Sequence, residues 1–168
     1  MATVIRTNLA TVLLAIQAWL MTKLTLPAER CLIIAFDEFP FDAHGDQMLA
    51  IRPLEEYQPN EDEAGRVDHR SLCPFLVYLK TRVALDEANN SVIALTDASL
   101  GHLKWRRDIK DALQEFHAVD SQDNWLTVMP MRWRGSSKPD RPSIKTEWIQ
   151  SASQFELVYE DDFDQSYQ

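Results

Sequence analysis

The sequence predicts an α+β fold, a mainly antiparallel sheet of four to five strands with two helices packed on one face. Three observations lead there. Helical 3–4 spacing occurs in two segments, strand-like apolar segments occur in five, and the two kinds do not alternate as a βαβ chain would.

Residues 9–21 (LATVLLAIQAWLM) give the first helix. Leu9, Val12, Leu13, Ile16 and Leu20 form one apolar stripe, with Thr11, Gln17 and Thr22 away from it. Asn8 is the expected N-cap and Pro27 marks the end. Thirteen residues are too few to span a membrane as a helix. Gln17 and Trp19 interrupt the run, and no small-x-small site follows before Pro27, so a secretory leader is not expected. Residues 31–36 (CLIIAF) read as a strand covered on both faces, and 47–53 as a weaker second strand. The acidic, Pro- and Gly-bearing stretches around them read as loops. Residues 77–85 alternate, with Val77, Leu79, Thr81, Val83 and Leu85 facing one way and Tyr78, Lys80 and Arg82 the other.

A second helix is expected after Ser99 or Gly101, burying Trp105, Ile109, Ala112, Leu113 and Phe116. On its far side Lys104 with Asp108 and Arg107 with Asp111 stand four apart, pairs that contribute a few tenths of a kcal/mol each. Residues 125–133 (WLTVMPMRW) and 144–160 read as two strands joined by GSSKPDRP. Ser151-Ala152-Ser153 is the expected place for a bulge in the latter. The 168 residues read as one domain, 1–168, with a long acidic loop at 53–70, a basic hairpin arm at 132–145 and an acidic segment at 160–168. A chain of this size can bury about 70% of its unfolded surface.

A net charge of -9 disfavours general binding to a phosphate backbone. The two cysteines, Cys31 and Cys73, lie in apolar runs and read as buried, reduced thiols. Asp42, His44 and Asp46 come nearest to a metal or acid/base cluster, but three mixed ligands in one loop without a second set make an incomplete site. His69, His102 and His117 have no spaced partners for a triad or zinc site, and with only four glycines there is no phosphate-binding loop. The reading is therefore of a protein that is not an enzyme, with no catalytic residue, metal or cofactor.

Charge is segregated along the chain. Residues 37–63 carry nine acids against Arg52, and residues 156–164 carry five acids and no base. Between them, 130–145 holds Arg132, Arg134, Lys138, Arg141 and Lys145 against Asp140. Such blocks suit either solvated loops or head-to-tail contact between copies, which closes into a ring when its rotation permits. Trp133 within MRWRG fits an interface anchor, or a core residue at a strand end. The expected inter-subunit contact is Arg132, Trp133, Arg134, Lys138, Arg141 and Lys145. Its acidic partner surface, or an acidic channel lining, is expected from Glu55, Glu56, Glu61, Asp62 and Glu63, or from Asp161, Asp162 and Asp164.

In layout the chain resembles the tail-terminator (tail-completion) proteins of long-tailed bacteriophages and the neck proteins that share their fold. The resemblance rests on NLATVLLAIQAWL, RSLCPFLVYLKTRVALD, LTDASLGHLKWRRDIKDALQEF, WLTVMPMRW and IKTEWIQSASQFELVYED. It implies a structural virion protein forming a ring, hexameric in that family, at the head-proximal end of the tail tube. Such a ring stops tube growth and meets the neck or head-completion protein, after assembly in the host cytoplasm and without a membrane. Genome DNA would cross it without specific binding, and acidic side chains suit such a channel because they repel phosphate. The alternatives are another neck ring protein, head-closure or adaptor-like, and a small bacterial enzyme or binding module using the 37–46 loop.

Overall fold

Asn8 adopts an extended conformation and its side chain accepts from the Thr11 N–H, which opens helix α1, Leu9–Leu24. Thr25, in the left-handed conformation, closes it. The chain is represented by a computed structural model that describes residues 3–35, 47–57, 70–82, 95–98, 101–114, 116–140 and 148–161. A 3₁₀ turn, Ala28–Arg30, leads into β1, Cys31–Ile33. Then come β2 (Gln47–Pro53), β3 (Arg70–Arg82), α2 (His102–Leu113), β4 (Arg132–Ser136) and β5 (Trp148–Glu160). No described helix is long and apolar enough to cross a membrane.

These five strands form one sheet in the order β1-β2-β3-β5-β4, antiparallel except for β1 beside β2. The α+β expectation thus holds, and register explains why both helices lie on one face. Leu49 pairs with Leu79, Val77 with Ser153, Phe75 with Phe155 and Cys73 with Leu157, so odd-numbered residues of three strands share a side. That side packs on Val12, Leu13, Ile16 and Leu20 of α1 and on Ile109 and Leu113 of α2, with Trp105, Ala112 and Phe116 at its margin. Both cysteines are buried there as free thiols, and burial pushes each up to about 12. On the opposite face Met48 and Ala50 gather Leu32, Ile34 and Tyr78 into a smaller cluster.

Several boundaries differ from the sequence reading, each for a local reason. The 31–36 strand ends at Ile33, and Phe36 lies outside the described residues. The central strand begins at Arg70 and includes Pro74, whose carbonyl accepts from the Leu54 N–H just beyond β2. Val83 and Leu85 lie outside the described residues. Most of 125–133 is not a strand. Leu126 N–H donates to Ala118 and Val128 N–H to Val158, so the segment crosses between elements, and Pro130 has no N–H for a ladder. The last strand starts at Trp148, with 144–147 outside the described residues. Residues 151–153 pair with β3 without a shift, and the bulge sits instead in β4, between Trp133 and Gly135. Gln17 is not simply outward, because its amide donates to the Cys31 carbonyl and ties α1 to β1.

Candidate functional site

β4 is one border of the sheet, and no described strand lies beyond it. Arg132 opposes Glu156 and Trp133 opposes Phe155, so Arg132 falls on the face away from the helices and Trp133 on the helix face. Past the bulge Ser136 opposes Ser153, which returns it to the side of Trp133. Its hydroxyl accepts from the indole N–H at 3.3 Å and lies 2.7 Å from Ser153 Oγ. The Trp133 ring is thereby held at the border, 38% exposed.

Two cations from α2 complete this surface. Lys110 Nζ stands 4.1 Å from the centroid of the Trp133 ring, a cation–π contact. Arg106 Nη1 donates to the Ser137 carbonyl at 3.1 Å. Arg134 pairs with Glu156 at 2.5 Å, and that hydrogen bond and charge raise its already high pKa. Lys138 follows β4 and is exposed. Among the described residues no carboxylate lies within ion-pair distance of Lys110, Arg132 or Lys138. Of the expected set, Arg132, Trp133 and Arg134 lie in β4 and Lys138 just after it, while Arg141 and Lys145 lie outside the described residues. The stretch is also less of an arm than expected up to Asp140. Ser137 N–H donates to Ala152, and Asp140 and Gln150 exchange backbone hydrogen bonds, so the chain stays along β5.

Of the acidic residues, Glu55, Glu56 and Asp161 are described; Glu61, Asp62, Glu63, Asp162 and Asp164 are not. Glu56 and Asp161, one from each acidic block, come together around Tyr159. Glu56 accepts from the hydroxyl of buried Tyr159, and Ser71, opposite Tyr159 in the sheet, donates to Asp161 at 3.5 Å. Burial, then the hydrogen bond and charge of Glu56, push the Tyr159 hydroxyl well above its usual range. Glu56 and Asp161 thus meet where β3 begins and β5 ends, joined through one tyrosine and one serine.

Asp42, His44, Asp46 and His69 lie outside the described residues. His102 is fully buried, with Nδ1 3.0 Å from Thr81 Oγ1 and Nε2 2.7 Å from Ser151 Oγ. Burial, with Arg106 adding to it, lowers its pKa to about 4, so it is neutral near pH 7. His117 stacks on Trp125 at 4.1 Å. Among the described residues no group of three or more His, Cys, Asp and Glu is placed to hold a metal ion. An open groove of about 500 Å³ between α1 and α2 is lined by Trp19, Lys23, Lys104, Trp105, Asp108 and Asp111, and Lys104 is paired with Asp108 inside it.

Sequence reasoning found the β4 half of the basic surface and missed Lys110 and Arg106. Their i, i+4 spacing on the polar side of α2 was the available signal, but which strand that side overlooks depends on sheet order. Comparison of the chain with protein-family models and with curated proteins finds no match.

Proposed function

We propose that this chain is a structural protein that assembles into a ring, as the terminator of a phage tail at its junction with the neck. The observation that carries this reading is the β4 border. A chain of net charge -9 keeps there an exposed Trp133 with Lys110 over its ring, and Arg106, Arg132 and Lys138 along the same border, while Glu56 and Asp161 meet around Tyr159 where β3 begins and β5 ends. A basic, aromatic strip and an acidic strip on one molecule complement each other between copies, head to tail, and such contacts close into rings. Partners in this reading are further copies, the tail-tube protein and a neck or head-completion protein. The balance of acid over base suits a channel that DNA crosses unbound.

Sedimentation or light scattering across protein concentrations, with negative-stain imaging, tests it. Discrete rings that cap purified tail tubes and block their extension are expected. A monomer at all concentrations, with no effect on tube length, overturns it.

A further inference from the structure

We propose that the N-terminal half of α2 is an acid-operated latch: His102 pins it to the sheet, and protonation of that imidazole releases residues 102–107 while Ile109 and Leu113 keep the second half docked. The latch works within a single copy and does not depend on assembly.

α2 is anchored unevenly. Its buried residues are His102, Ile109 and Leu113, so nothing between the first residue and Ile109 is fully buried. Leu103 is 42% exposed. Trp105 packs at the margin of the core, and among the described residues its buried indole N–H has no hydrogen-bond partner, which costs stability there. The start of the helix also lacks local support. Gly101 at the N-cap supplies no side-chain hydrogen bond, and the first turn carries no acid to meet the positive end of the helix dipole. Lys104 places a cation there instead, paired with Asp108 one turn on. Two polar ties remain in the described structure. The His102 ring sits between Thr81 Oγ1 at 3.0 Å and Ser151 Oγ at 2.7 Å, and Arg106 donates to the Ser137 carbonyl.

The imidazole is the tie that pH can cut. From β3 it faces Thr81, whose neighbours Lys80 and Arg82 fall on the other side of the sheet. From β5 it faces Ser151, with uncharged Gln150 and Ala152 beside it. The turn before α2 brings Asp97, whose carbonyl accepts from the Gly101 N–H. Among the described residues the charge that acts on the ring is that of Arg106, and it adds to the effect of burial. A second cation is therefore disfavoured at this site until the ring reaches water. The group titrates at about 4 in place against 6.5 ordinarily, so between these values the proton binds the released form and not the docked one. The released form gains about twentyfold from pH 7 to pH 5. Arg106 leaves with the latch and the Ser137 carbonyl loses its donor, whereas Lys110, between Ile109 and Leu113, stays over Trp133.

Native-state hydrogen exchange on the full-length chain tests the latch. The reporters are the amide of Trp105, which donates to the Gly101 carbonyl, and those of Arg106 and Arg107 after it. Once the intrinsic pH dependence of exchange is removed, their protection should fall about twentyfold between pH 7 and pH 5. It should not change in low urea, because local release exposes little surface. Amides of β3 and β5 should be protected at least about tenfold more and should respond to urea. In His102→Gln the pH response of the reporters should vanish. Reporters that share the protection and urea response of β3 and β5 overturn the latch, since α2 then opens only with the whole fold, and leave the ring reading untouched. A pH response that persists in His102→Gln overturns it as well. Should that variant fail to fold, the wild-type chain still decides: reporter protection that is level from pH 7 to pH 5 overturns the proposal.

Discussion

Acidification should destabilise this protein through His102. It is the first residue of α2, 0% exposed, and its ring joins Thr81 of β3 to Ser151 of β5. A neutral imidazole serves both hydroxyls, donating to one and accepting from the other. Protonation removes the acceptor and places a cation in a dry site beside Arg106, at the positive end of a helix dipole. The folded pKa is about 4 against an ordinary 6.5. Between these values the unfolded chain binds the proton and the folded one does not, so stability falls as pH falls. The loss starts near pH 6.5 and is complete below about pH 4. At about 1.4 kcal/mol per pH interval of one, it comes to about 3 kcal/mol. Urea unfolding at pH 7, 5.5 and 4.5 measures it for the wild type and for His102→Gln, which fills similar space but does not titrate. The variant should be less stable at pH 7 by about 1–3 kcal/mol, through a poorly replaced buried hydrogen-bond pair. The two stability curves should then converge on acidification. Parallel curves would refute the reasoning, because acid sensitivity would then arise from other groups.

Three further outcomes follow from the packing. Leu113→Ala should lower stability by about 2–5 kcal/mol through lost burial and a cavity, whereas Arg107→Ala, at a largely exposed side chain, should stay within about 0.5 kcal/mol. Equal midpoints in denaturant would show that α2 is turned differently. Cys31 and Cys73 should react slowly with a thiol reagent in the folded protein and give two free thiols on unfolding without reductant, since burial keeps both protonated. Fast labelling of either at pH 8 would contradict their placement. Asn8→Ala should cost about 1 kcal/mol by leaving the Thr11 N–H uncapped, read as a lower thermal midpoint, and an unchanged midpoint would mean that the cap contributes nothing.

The helices were legible because each writes its period into the chain. Val12, Leu13, Ile16 and Leu20 on α1, and Ile109 and Leu113 on α2, lie buried where spacing put them. Strand type was legible in the same way, from the alternation of Val77, Leu79 and Thr81 against Tyr78 and Lys80, although Lys80 proves buried as well. Long-range pairing was not legible. Nothing local in WLTVMP distinguishes a strand from a segment whose N–H groups are taken by Ala118 and Val158. The contact of Lys110 with Trp133 joins residues 23 apart, and the merging of Glu56 with Asp161 through Tyr159 joins residues more than a hundred apart. His102 had no visible partner in sequence because its partners are single hydroxyls on two separate strands, β3 and β5, a pattern without a motif.

The β4 bulge connects the fold to the proposed contact. In a regular strand Trp133 and Ser136, three apart, would face opposite sides. The extra residue between Trp133 and Gly135 brings them to the same side, where Ser136 receives the indole N–H and the ring is fixed at the border. Gly135 makes this possible through its backbone. Its φ of 155° is one that side chains rarely adopt, and no atom lies within 4 Å of where a Cβ would be. Any other residue there is opposed by conformation rather than by space. Gly135→Val should therefore weaken assembly more than it lowers the stability of the monomer. A fall in stability with no change in assembly would show that the position of Trp133 does not govern the contact between copies.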